Sequence, residues 1–142
     1  MLATTPRNPR FGRADEVRFP AQVELILSAL ETGQFARRER RSVLRASFRT
    51  EATLRLFSDP PDRAPWLLYT RDANDKGLGF ITSHRLPLGY GGMLELEAPN
   101  GQLVSIQCTL NRCREAAPGW FEGSLHFNRP QPVFASLPRE EA

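Results

Sequence analysis

Two stretches of this 142-residue sequence hold side chains whose types and spacing suit chemistry. The first runs from Arg37 to Arg49 and carries six arginines against one glutamate, Glu39, a local charge of +5. Arginine presents a planar fork of N–H donors that stays charged, so it fits phosphate oxygens and the O6/N7 edge of guanine. On charge alone, such a run is a solvated arm or a patch for any polyanion. The second stretch is Asp72-Ala73-Asn74-Asp75-Lys76-Gly77-Leu78-Gly79-Phe80. Asp and Asn bond their own backbone in turns and glycine supplies positive φ, so a tight connection is the plain reading. Asp72, Asn74 and Gly77 also fall at positions one, three and six of a calcium loop. Position five is then Lys76, and position twelve is Ser83 where a bidentate glutamate is needed, which sets calcium aside.

Other reactive side chains lack partners. Cys108 and Cys113 are too few for a disulfide framework, and zinc needs about four ligands, whereas His84 and His126 lie far off in sequence. Both cysteines are read as barrel residues, His84 as a surface residue and His126 as pointing outward. Ser42, Ser47 and Ser83 have no nucleophile-elbow context, no carboxylate pair stands out, and no Gly-x-x-x-x-Gly-Lys stretch cradles phosphate. A non-catalytic protein without metal or cofactor is expected. The net charge is only +3, yet 18 of the 19 basic residues are arginine.

The elements that must position these residues follow from periodicity. Residues 1–19 show no apolar period and read as a flexible arm with no secretory signal. Val23, Leu25, Ile26, Leu27, Leu30 and Phe35 lie near helical spacing, predicting one amphipathic helix within 20–36, its regular part about 21–32. Pro20 suits the start and Gly33 the end, with Glu24 and Glu31 facing water. Over 37–129 the period becomes two. Phe48, Thr50, Ala52, Leu54 and Leu56 alternate with Arg49, Glu51, Thr53 and Arg55. Further strands are predicted through 66–70, 78–81, 93–97, 103–110 and 120–127, with turns such as Asn100-Gly101 and Pro118-Gly119 between them. Six short strands argue an all-β barrel with a single core filled by Trp66, Trp120 and the phenylalanines. The proline-rich tail, 130–142, reads as loose.

Taken together and in order, the two stretches resemble the PilZ family. Its signature is an Arg-x-x-x-Arg arm before the first barrel strand, then an Asp/Asn-x-Ser-x-x-Gly turn. Arg41-Ser42-Val43-Leu44-Arg45 matches the first element, with Arg40 ahead of it, and Asp72-Ala73-Asn74-Asp75-Lys76-Gly77 matches the second. One position departs: the family's serine is Asn74. The resemblance covers roughly residues 37–128. It implies a six-stranded barrel that binds cyclic di-GMP. Arg41 and Arg45 would grip phosphate and guanine through charge-assisted bonds. Arg40 would stack on a guanine or reach a second ligand. Asp72 would accept guanine N–H bonds, Asn74 would stand in for the serine, and Gly77 would let the backbone approach the ligand.

The expected function is cyclic di-GMP sensing in a cytoplasmic bacterial protein, the arginine arm ordering on the barrel and altering contacts with a protein effector. Two alternatives stay open: a degenerate PilZ adaptor that binds no nucleotide, motivated by Asn74, and a basic nucleic-acid binder. Against the latter, few aromatics stand as stacking platforms. The longest apolar runs fall far short of the roughly 20 residues that span a bilayer, so membrane insertion is not expected.

Overall fold

A computed structural model of the protein describes residues 19–37 and 46–136 and, within the helix, side chains as far as Leu30. In chain order the elements are α1 (Ala21–Arg37), β1 (Ala46–Ser47), β2 (Glu51–Leu56), β3 (Trp66–Asn74), β4 (Gly77–Thr82), β5 (Gly91–Glu97), β6 (Leu103–Ala117) and β7 (Trp120–Phe127). A 3-10 turn at Pro132–Ser136 ends the series. Every strand pairing is antiparallel. The order β3-β2-β5-β6-β7-β4 returns on itself because β4 also pairs with β3. Six strands therefore close a barrel with no free edge among them. The predicted six-stranded barrel preceded by one helix is what forms, and β1 adds a two-residue strand on β3.

Alternation explains most of the core. Ala52, Leu54 and Leu56 of β2, Leu94 and Leu96 of β5, and Ile106, Cys108 and Leu110 of β6 face inward. Both cysteines are buried in that core, as expected of barrel residues, Cys108 in step with the alternation of β6. β4 breaks the alternation, since all six of its residues are buried. Leu78 and Phe80 fill the barrel, while the outer side of the strand is covered as well.

That outer cover is a second cluster, so the single-core expectation is corrected. Phe19, Val23, Ile26 and Leu27 close over Ile81, with Leu30, Tyr69, Ala117 and Trp120 at the margin. Trp120 thus seats the helix rather than filling the barrel, and Phe57 stands 60% exposed. The helix runs past Gly33 to Arg37 because one interior glycine costs only about 1 kcal/mol against alanine. Leu25, counted in the predicted apolar stripe, is 71% exposed. Glu24 does not simply face water: Arg49 donates to its carboxylate at 2.6 Å. The tail is docked as far as Phe134, which is buried against Phe48 and Phe127 with ring centroids 5.4 Å from each. Among the described residues no helix is long and apolar enough to cross a membrane.

Candidate functional site

Two bulges decide which charged residues face outward. Along β3, Leu68 and Thr70 are fully buried, so strict alternation would turn Asp72 into the barrel as well. The β3–β4 register shifts between Thr70 and Asp72, so Arg71 is the extra residue. Ala73 then takes the inward place and Asp72 and Asn74 face out. Thr70 Oγ1 mends the neighbouring ladder: it accepts the Thr50 N–H at 2.8 Å and donates to the Phe48 carbonyl at 2.6 Å. β6 repeats the device. Its register with β7 shifts between Leu110 and Arg112, so Cys113 turns inward and Arg112 and Arg114 turn out.

Directly paired residues share a face, so the registers assemble an outer surface in rows. One row reads Asp72 (β3), Gly79 (β4), Ser124 (β7), Arg112 (β6). A second reads Asn74, Gly77, His126, Thr109. A third, toward the helix, reads Tyr69, Ile81, Glu122, Arg114, and Ile81 is the residue on which α1 sits. The helix seat and the Asp72 row are thus two residues apart along β4, roughly 7 Å at strand spacing.

The predicted residues of the second stretch come together here. β3 and β4 extend through the stretch predicted as a connection, leaving Asp75 and Lys76 as its turn. Asp72 is buried and its Oδ1 accepts the Gly79 N–H at 3.1 Å. Asn74 Oδ1 accepts the N–H groups of Lys76 at 2.8 Å and Gly77 at 3.1 Å, closing the turn as an Asx cap. Among the described residues no hydrogen bond engages Asn74 Nδ2. Gly77 has a reason different from the expected one. A Cβ there would meet the Leu125 carbonyl oxygen at 2.3 Å, so the close approach it permits is that of β7. Arg40, Arg41 and Arg45 lie outside the described residues. Of the arginine run Arg37 ends the helix and only Arg49 has its side chain described; it holds the helix, pairing with Glu24 and lying 5.5 Å from the Phe19 ring centre.

A charged cluster that the sequence reading passed over adjoins these rows. Glu122 is 1% exposed and accepts from Arg71 Nη1 at 3.1 Å, Arg112 Nη2 at 2.5 Å and Arg114 Nε at 3.0 Å. Arg71 crosses β4 to reach it. Three guanidiniums meet Glu122 and the nearby Asp72, whose Oδ2 lies 3.9 Å from Arg71 Nε, so the cluster carries one excess positive charge. Beside it Ser124 Oγ donates to Asn111 Oδ1 at 2.6 Å. Around the barrel the sign reverses. A groove of about 350 Å³ there is lined by Glu51, Glu95 and Glu97 with Leu67 and Leu103. Burial pushes the Glu97 carboxyl above its ordinary pKa. That groove repels the anions the opposite face attracts. His84 stands apart from both, its ring tilted at 58° to that of Trp66 with centroids 4.8 Å apart. No protein-family model matches this chain, and no curated protein matches it in sequence.

Proposed function

We propose that this protein is a non-catalytic cyclic di-GMP receptor of the PilZ type, whose arginine arm closes on the outer face of β3 and β4. One observation carries the reading. β1 begins at Ala46, the residue after Arg45, and pairs Ala46 with Ala73 and Ser47 with Asp72. The chain leaving the Arg40-Arg41-Arg45 segment is therefore stitched to the strand that presents Asp72 and Asn74. Arg41 and Arg45 would supply bidentate donors to phosphate and to guanine O6/N7, and Asp72 would accept guanine N–H groups. Asn74 performs with Oδ1 the turn-closing role open to a serine hydroxyl, and it adds an amide donor, so its presence fits a working site.

The same arm joins α1 to the barrel, and α1 rests on the row beside the proposed site. Ordering of the arm by ligand would bear on the helix seat of Ile81, Tyr69 and Trp120 and on the Arg49–Glu24 pair, changing the surface offered to a protein effector. Calorimetric titration with cyclic di-GMP tests the reading. Saturable binding that is lost in Arg41→Ala supports it. Absence of binding by the native protein that returns in Asn74→Ser would mean a lapsed site and an adaptor role. Silence from the native protein and both variants would end the receptor reading.

A further inference from the structure

The geometry points to Arg112 and Arg114 as a second phosphate clamp for the same nucleotide, on β6, three strands from Asp72; this inference rests on the receptor reading. Asp72 and Arg112 close the two ends of one cross-strand row, with Gly79 and Ser124 between them. At the usual strand spacing the row is about 14 Å long. The two ends reach the surface by the same device, a one-residue bulge that interrupts an inward-facing run just before the charged residue. Bulges that re-aim side chains mark functional rims of barrels.

The two guanidiniums are already held in place. Each gives one donor to Glu122, through Arg112 Nη2 and Arg114 Nε, out of the five that a guanidinium carries. Among the described residues Arg112 Nε is buried without a hydrogen-bond partner, and the side chains of Arg112 and Arg114 are 35% and 49% exposed. Glu122 therefore fixes both forks while leaving donors unspent. An anion meeting such a pair orders less side chain than one meeting two free arginines. Asn111, held by Ser124, is the bulge residue just before Arg112 and adds an amide to the same edge. Cyclic di-GMP has two phosphates, and β1, the strand into which the arginine arm leads, pairs with β3 at one end of the row. Arg112 and Arg114 give the other end its own cationic grip.

The test is titration of native protein, Arg112→Gln and Arg112→Lys with cyclic di-GMP, each first shown to be folded by urea unfolding, with phosphorus NMR of the bound ligand. The expected result is affinity at least tenfold lower in Arg112→Gln and a smaller loss in Arg112→Lys, which keeps the charge and the Glu122 pair but not the fork. One of the two phosphate resonances should move and the other stay. Should Arg112→Gln unfold, Arg112→Lys decides alone: a threefold or greater loss with one displaced resonance supports the clamp. Native binding left unchanged in the folded variants overturns the second clamp and leaves the receptor reading intact. Absence of native binding removes both.

Discussion

Replacing Glu122 with alanine removes the one carboxylate on which Arg71, Arg112 and Arg114 converge. The cost divides by exposure. Arg112 and Arg114 are 35% and 49% exposed and can turn to water, so each of their pairs is worth at most about 1 kcal/mol. Arg71 is 9% exposed and cannot follow them, and breaking a buried pair from one side costs about 3–5 kcal/mol. The whole substitution should therefore lower stability by about 3–5 kcal/mol, and the melting temperature by roughly 10–15 °C for a domain of this size. Urea unfolding at neutral pH reads it directly. Glu122→Gln keeps an acceptor oxygen and the side-chain shape, and should cost less, about 2 kcal/mol. Because Glu122 is buried, the difference between native and alanine protein should persist in 1 M salt, where the screening length is only about 3 Å. A loss below about 1 kcal/mol, or one that vanishes in high salt, would show that the cluster behaves as a solvated surface pair and would refute the reasoning.

Gly77→Ala should destabilise the barrel by about 3 kcal/mol, because its Cβ would press on the Leu125 backbone at 2.3 Å, where no side chain can swing aside. A stability loss near zero in urea unfolding would return Gly77 to a ligand role. Phe134→Ala should cost about 3–5 kcal/mol if the C-terminal turn is part of the core that Phe48 and Phe127 build, and thermal melting decides it. Cys108 gives an alkaline signature, since burial pushes its thiol up from 9.0 to about 12. The folded state then keeps a proton that the unfolded chain releases, so this contribution is complete below pH 9 and is lost as pH rises toward 12. The stability of native protein relative to Cys108→Ala should shrink by about 1.4 kcal/mol per pH unit above 9. A constant difference would show the thiol to be accessible.

The barrel was legible because its signal is periodic. The predicted strands through 48–56, 93–97 and 103–110 lie where apolar residues alternate, and the hairpin at Asn100-Gly101 has Gly101 at φ 88°, the positive value the dipeptide foretells. What escaped is whatever interrupts the period. A strict count carries Leu68 and Thr70 on to an inward Asp72, and Ile106, Cys108 and Leu110 on to an inward Arg112. Neither charge can lie in an apolar core without a partner. The conflict is itself a sequence signal for a register break at Arg71 and Asn111, where the bulges occur. Glu122 left no comparable trace. It reads as an ordinary outward residue of β7, and its burial comes from Arg112 and Arg114 of the adjacent β6 and from Arg71 reaching across β4, which no local pattern records.

The helix shows the same limit from the other direction. Its apolar positions were visible, yet the surface that receives them was not, because Tyr69, Ile81, Ala117 and Trp120 come from four strands and meet only when the barrel closes. Once they meet, the outer face of β4 is divided between two occupants. Ile81 is taken by the helix, and Gly79 and Gly77 lie beneath the Asp72 and Asn74 rows. Glycine at both of the latter positions keeps that half of the strand without side chains while the other half is roofed. A ligand that draws the arm toward Asp72 must therefore act within two residues of the helix seat, and the Arg49–Glu24 pair ties the helix to the chain just after β1. Sensing and response need no long-range coupling in such an arrangement, because the element that would move is packed on the row next to the one that would bind.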